Sequence, residues 1–347
     1  MTGPADFLLR VERLRTEFTL RDGRHVAAVD DVSFSIGRGE TLGLVGESGS
    51  GKSVTALSII RLVPPPGRIV SGRIELEGRS VLDIDERDMP QIRGRRIGFI
   101  FQEPTAALNP VYTIGYQIEE TLVVHGLARG AAARRRAIEL LDAARIPDPQ
   151  RRAKEYPHQL SGGLRQRAMI ALAIAAEPAL LIADEPTTAL DVTVQAEILD
   201  LLREMRRQLH LSLLLITHDF GVIAEMADRV AVMYAGRIIE QAPVGQIFQS
   251  PAHPYTRGLL ACMPRLEGTT LPERETNGAR SAANRRRLSA IAGTVPALGD
   301  LPRGCAFAPR CPERFDPCDL APPPEVLAAP NQTTRCYLHG GIPEGAR

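Results

Sequence analysis

The chain runs to 347 residues, longer than one average domain, so one large core with inserted or appended parts is expected. Hydrophobic residues at 44% and charged residues at 24% fit an ordinary globular protein, and a formal net charge of +1 gives bulk electrostatics no grip on nucleic acid. Met1 to Arg10 lacks the apolar centre of a signal peptide, and no later stretch approaches the roughly 20 apolar residues of a spanning helix, so the expected place is the cytoplasm.

Taken in chain order, a weak strand carrying Phe18 comes first. Apolar runs rich in Ile, Leu and Val then end at Val45, Phe101, Asp184 and Ile216, the pattern of parallel strands buried on both faces in an α/β fold. The first of them, Thr41 to Val45, leads into Gly46, Glu47, Ser48, Gly49, Ser50, Gly51, Lys52 and Ser53, which fit the G-x-x-x-x-G-K-[ST] phosphate loop. Glycines let the backbone turn so that successive N–H groups converge on phosphate oxygens at the positive end of the next helix. Lys52 is expected to reach the terminal phosphates and the Ser53 hydroxyl to ligate Mg²⁺. A flexible Gly/Ser loop before a helix is the bland alternative. The chain has only two lysines, Lys52 and Lys154, and keeps one of them here.

Gln102 follows the strand Ile97 to Phe101. Helices are predicted over Val111 to His125, Ala131 to Arg145 and Leu164 to Ala176, punctuated by Pro147, Pro149 and Pro157. The triplet Arg134, Arg135, Arg136 reads as a solvated helix face. Ala179 to Asp184 is an apolar strand ending in two carboxylates: Asp184 is placed to hold Mg²⁺, and Glu185 to accept the proton of an attacking water. Taken alone, such an end is also a common surface turn. His218 follows Leu213 to Thr217, so Gln102 and His218 both stand at strand carboxyl ends, where ligands bind in open α/β sheets. Gln102 is expected to orient water and contact Mg²⁺, and His218 to bridge Glu185 to the γ-phosphate. A lone Gln or His at such a place is more often a turn residue until partners are identified.

Ser161, Gly162 and Gly163 open a helix and offer a second cluster of free N–H groups with a hydroxyl. With Leu160 they match the LSGG signature, and here the chain resembles the ATP-binding subunits of ABC transporters. The phosphate loop, Gln102, Asp184-Glu185, Ala189-Leu190-Asp191 and His218 match that family's other motifs in the same order, over about residues 7 to 250. The resemblance implies a P-loop NTPase (RecA-like) core at residues 1–250 with an antiparallel β subdomain and a helical subdomain inserted at about residues 104–176. It implies ATP and Mg²⁺ as ligands and a head-to-tail dimer in which the loop of one subunit and the signature helix of the other clamp one ATP. Asp191 would then lie at the dimer seam, and Phe18 is the candidate aromatic on adenine, with ordinary sheet packing as its alternative. The usual fifth signature residue, Gln, is Leu164 here, followed by Arg165, Gln166 and Arg167, a variation found in relatives that import peptides.

After Ser250 prolines multiply, and Glu267 to Arg287 reads as a linker, bounded at about residues 267–290. His253 to Leu260 and Gly304 to Cys311 resemble the C-terminal extension of oligopeptide/dipeptide importer ATPases, here residues 251–347, expected to be small and irregular. Cys305, Cys311, Cys318 and Cys336 are spaced C-x5-C-x6-C-x17-C, which is neither a standard zinc pattern nor a ferredoxin run. The resemblance implies a [4Fe–4S] cluster, with structural zinc or free buried thiols as the alternatives; Cys262 reads as core. The partners implied are a second ABC ATPase subunit, commonly a homologous different chain, two membrane permease subunits and an extracytoplasmic peptide-binding protein, on the cytoplasmic face of the inner membrane. No nucleic-acid partner is expected. Nickel and glutathione importers share these motifs, and a soluble ABC ATPase of DNA repair or translation is the rival from another class. The long coiled-coil insertion or second cassette of such a protein is absent.

Overall fold

The structure, a computed structural model, describes residues 7–263, 291–297 and 299–342; the linker expected at 267–290 lies outside the described residues. Twelve strands occur among them: β1 (Phe7–Thr19), β2 (His25–Gly37), β3 (Thr41–Val45), β4 (Gly67–Leu76), β5 (Arg79–Ser80), β6 (Ile97–Ile100), β7 (Leu180–Asp184), β8 (Ser212–Thr217), β9 (Arg229–Tyr234), β10 (Arg237–Pro243), β11 (Val326–Ala329) and β12 (Gln332–Thr334). They form a four-stranded antiparallel sheet, β2-β1-β4-β5, and an eight-stranded sheet, β11-β12-β10-β9-β3-β8-β7-β6. The second is parallel from β9 to β6 and antiparallel from β9 through β10 to β11.

Strands β3, β7 and β8 are buried along their whole length, which is why their sequences run apolar without alternation. Their side chains still alternate in direction and divide between two cores. Leu181, Ala183, Leu213 and Leu215 face one core, and Leu180, Ile182, Leu214 and Ile216 the other. Full burial of each such Leu or Ile contributes about 1.5–3 kcal/mol, so the sheet that carries the site is firmly anchored on both faces.

Between β6 and β7 lies the helical insertion, whose longer helices are Ile114–Val124, Gly130–Ala143 and Gly162–Ile174. Ile114, Ile118 and Leu122 recur at helical spacing and are buried, as are Ala133, Ala137, Leu140 and Leu141. Thr113 caps the first helix by accepting the N–H of Tyr116. Of the arginine triplet, Arg136 pairs with Glu139 and Glu177 on an exposed face.

The segment after Ser250 is continuous with the core. Strands β11 and β12 extend the large sheet through β10. Glu240 of β10, 1% exposed, lays one carboxylate oxygen on the N–H of Ala252 at 2.7 Å and the Gln332 amide at 2.8 Å, and the other on the N–H of His253 at 2.9 Å. A buried carboxylate with three donors welds this segment down.

Candidate active site

Strand β3 ends at Val45, and the chain turns through residues 46–51 into the helix Lys52–Ile59. Two glycines are dictated by space. A Cβ on Gly46 would stand 2.2 Å from the Met233 carbonyl oxygen, and one on Gly51, at φ +104°, would stand 2.4 Å from that of Ala28. The Lys52 ammonium donates to the carbonyls of Gly46 and Glu47 at 2.8 and 3.1 Å, leaving its third N–H for a phosphate oxygen. Burial pushes its pKa down, against the opposing pull of Glu185, Asp184 and Glu47.

Asp184 closes β7 and is 5% exposed. Burial raises its pKa and neighbouring Glu185 adds to this, while a hydrogen bond with Ser53 and the charge of Lys52 oppose it. Its Oδ1 is buried with no hydrogen-bond partner. A buried, orphaned carboxylate oxygen beside a serine hydroxyl is the donor set of a hard cation, so the residues fit Mg²⁺.

Glu185 comes next and holds a left-handed backbone conformation at φ +47°, a strain that functional sites retain. Its Oε2 is a meeting point: Thr188 Oγ1 donates at 2.8 Å, Gln102 Nε2 donates at 3.3 Å, and His218 Nδ1 stands 3.4 Å away. Gln102 follows β6 and His218 follows β8, so the carboxyl ends of β3, β6, β7 and β8 converge on one site, where an open α/β sheet binds ligands. The Glu185 side chain is 13% exposed and that of His218 63%, so the carboxylate is sheltered while its histidine partner faces outward.

The remaining candidates lie elsewhere. Ser161 caps the helix Gly162–Ile174, its hydroxyl accepting the N–H of Leu164 at 3.4 Å, with Ser161 and Gly162 exposed. Among the described residues no hydrogen bond joins this helix start to the phosphate loop. Asp191 caps the helix Val192–Leu209 by accepting the N–H of Val194 at 2.9 Å. Phe18 pairs with Gly67 across β1 and β4, and its ring lies where a Gly67 side chain would be.

The ABC transporter family matches residues 29–188, and the oligopeptide/dipeptide transporter C-terminal region matches residues 239–318. A Brucella abortus protein named as a peptide import ATP-binding protein is 50% identical over 95% of this chain and 96% of its own. The oligopeptide transport ATP-binding protein AppD of Bacillus subtilis is 47% identical over 96% of this chain and 97% of its own. The chain belongs to the ABC transporter ATP-binding proteins, in their oligopeptide/dipeptide branch. Among solved structures it resembles the dimeric ATP-binding cassette MJ0796 bound to ADP and Pi, with a TM-score of 0.60 at 29% identity over 68% of this chain and 98% of that one. CbiO1 of Clostridium perfringens gives a TM-score of 0.59 at 29% identity, over 71% and 92%.

As an ABC ATPase, the chain couples ATP hydrolysis to transport. Two of its contacts escaped the motif reading. Thr188 lies in a Thr-Thr step after Pro186, and only its distance to Glu185 marks it. Tyr255 lies in the first turn of the helix Pro254–Ala261, and its hydroxyl accepts the N–H of Glu47 in the phosphate loop at 3.0 Å. It is fully buried among Tyr234 and Phe307.

The four cysteines of the extension are unbonded. Cys305 donates its N–H to the carbonyl of Cys318 at 2.8 Å, an approach that only glycine allows at position 304, where a Cβ would stand 2.1 Å from that same oxygen. Burial pushes the thiols of Cys305 and Cys336 up to about 11, and each also feels the charge of the other cysteines. Among the described residues no group of three or more His, Cys, Asp or Glu is set to hold a metal ion. Cys262 is half-buried at the end of its helix.

Proposed function

We propose that this ATPase powers the import of peptides through two membrane permease subunits, supplied by an extracytoplasmic binding protein, from the cytoplasmic face of the membrane. The convergence of Gln102, Thr188 and His218 on Glu185 Oε2 beside the phosphate loop carries the catalytic part of this reading. The match of residues 239–318 to the oligopeptide/dipeptide C-terminal region supports the peptide part. Nickel and glutathione systems are the substrate alternatives. No helix among the described residues is long and apolar enough to cross a membrane, so the path itself belongs to partner chains in this reading.

Residues 46–53 cradle the ATP phosphates, with Lys52 donating its free N–H to them. Ser53, Asp184 and Gln102 would hold Mg²⁺, which when bound neutralises the phosphate charge. Glu185 takes the proton of the attacking water, oriented by Gln102, and Thr188 fixes the accepting oxygen. His218, 3.4 Å from Glu185 Oε2, would bridge that carboxylate to the γ-phosphate and steady the charge that develops there. The exposed start of the helix Gly162–Ile174, with Ser161, Gly162 and Gly163, completes the ATP site of a second ATPase subunit, a homologous chain, at a seam carrying Asp191. Phe18 stacks on adenine.

Val111, Tyr112 and Tyr116 are exposed together at the start of the first long helix of the insertion, Val111 at 69%. Tyr112 and Tyr116 stack at 4.8 Å. This patch suits a contact with the permease subunits. Cys305, Cys311, Cys318 and Cys336 would hold a [4Fe–4S] cluster in a structural role, as the resemblance to importer ATPases implies. The domain division follows: an ATP-binding domain at 1–250 with its helical insertion at about 104–176, and the extension at 251–347. Purification from membranes tests the assembly: permeases should copurify and ATPase activity should accompany them, whereas an ATPase recovered alone from the soluble fraction would favour the rival class.

A further inference from the structure

Arg310 belongs to the extension, yet its guanidinium is turned to the phosphate loop. It closes the short helix Ala308–Arg310 directly before Cys311, and its side chain is 5% exposed. Nη1 and Nη2 donate to Glu47 Oε2 and Oε1 at 2.7 and 3.0 Å. Nε donates to the Ala292 carbonyl at 3.0 Å, and Nη1 reaches the Tyr234 hydroxyl at 3.5 Å. A planar fork that grips both carboxylate oxygens while lying near an aromatic ring is a geometry that lysine does not supply.

Glu47 is the second residue of the phosphate loop and the only acid between Gly46 and Ser53. All three of its polar groups are held. Its N–H goes to Tyr255, its carbonyl to Lys52 and its carboxylate to Arg310. Two of these three ties come from the segment after Ser250. A free carboxylate at this place would repel the phosphates that the loop exists to gather.

We propose that Arg310 is a positioning residue for nucleotide binding: through Glu47 it fixes the phosphate loop and neutralises its one carboxylate, making ATP affinity depend on the docked extension. The inference rests on the ATP-binding reading of the loop and is independent of what the cysteine quartet holds.

The test is calorimetric titration of the full-length chain with a non-hydrolysable ATP analogue and Mg²⁺. Arg310→Gln is expected to weaken binding about tenfold, and the double variant Arg310→Gln/Glu47→Gln to return to within about threefold of the unsubstituted protein. The loss should shrink as salt rises. Unchanged affinity in Arg310→Gln would overturn the proposal. So would a double variant as weak as the single one, because the arginine would then act by packing. If Arg310→Gln does not fold, Arg310→Lys keeps the charge without the fork, and a loss of about threefold is expected against no loss if the proposal is wrong. In the assembled transporter Arg310→Gln should raise the KM for ATP while kcat at saturation holds; a lower kcat at unchanged KM contradicts the assignment. Should the unsubstituted chain bind no analogue at all, the nucleotide reading fails instead.

Discussion

Thr188 Oγ1 donates to Glu185 Oε2 at 2.8 Å, the same oxygen that faces Gln102 and His218. Because one oxygen takes several partners, the orientation of the carboxylate is set by its neighbours rather than by its own rotamer. Glu185→Gln is predicted to lower turnover by about 10²–10⁴-fold while ATP still binds. Thr188→Val should cost about tenfold in kcat with ATP affinity unchanged, the signature of a residue that acts through the base. Steady-state ATPase kinetics alongside nucleotide titration read both, and a Thr188→Val enzyme with full kcat would remove the positioning role.

Acid should loosen the extension. His253 is buried, and burial lowers its pKa to about 3, with Arg257 and His339 adding repulsion and a hydrogen bond with Arg335 opposing. Its Nδ1 accepts the N–H of Tyr255 at 3.0 Å, a bond that needs the neutral ring. The unfolded chain, with a histidine pKa near 6.5, therefore binds the proton first as pH falls. Stability held above that value is lost progressively below it, by about 1.4 kcal/mol between pH 7.5 and 5.5. His253→Asn keeps a helix-capping acceptor without the titration. Denaturant midpoints at the two pH values should fall less in the variant than in the unsubstituted protein; equal falls would show that His253 does not carry the effect.

Glu240 serves three buried donors, so Glu240→Ala strands the N–H groups of Ala252 and His253 and leaves the Gln332 amide only its bond to the Ser250 carbonyl. A loss of about 3 kcal/mol is expected, since each unsatisfied buried group costs about 1–3 kcal/mol. Limited proteolysis should then cut the segment after Ser250 first. A variant as resistant as the parent, with an unmoved midpoint, would refute the weld.

The phosphate loop, the carboxylate pair and the signature helix were legible because each is a short run whose spacing is the chemistry. Gly46 and Gly51 must be glycine, Lys52 must follow, and Asp184 must end a buried strand. Thr188, Tyr255 and Arg310 were not legible as site residues. Thr188 carries no spacing signal, and the other two reach the loop from more than 200 residues away. The extension was expected as a small irregular part, and its prolines and cysteines do read that way. Short strands such as Gln332–Thr334 leave no clear period, so their pairing with β10 emerges only from tertiary contact.

The cysteine quartet has a spectroscopic answer. Anaerobically purified protein is predicted to carry about four irons per chain and a charge-transfer band near about 400 nm. Gly304→Ala, whose Cβ would collide with the Cys318 carbonyl, should abolish both. Iron-free parent protein without that band would return the thiols to the zinc or free-thiol alternatives.

ATP hydrolysis at Glu185, in the proposed function, drives peptide import. This coupling is tested most directly by uptake of a labelled peptide into proteoliposomes holding the purified permeases, the ATPase subunits and the binding protein. Uptake should depend on ATP and disappear with Glu185→Gln while nucleotide binding persists. Uptake that continues in the Glu185→Gln complex, or ATPase activity in the parent complex with no peptide transported, would contradict it.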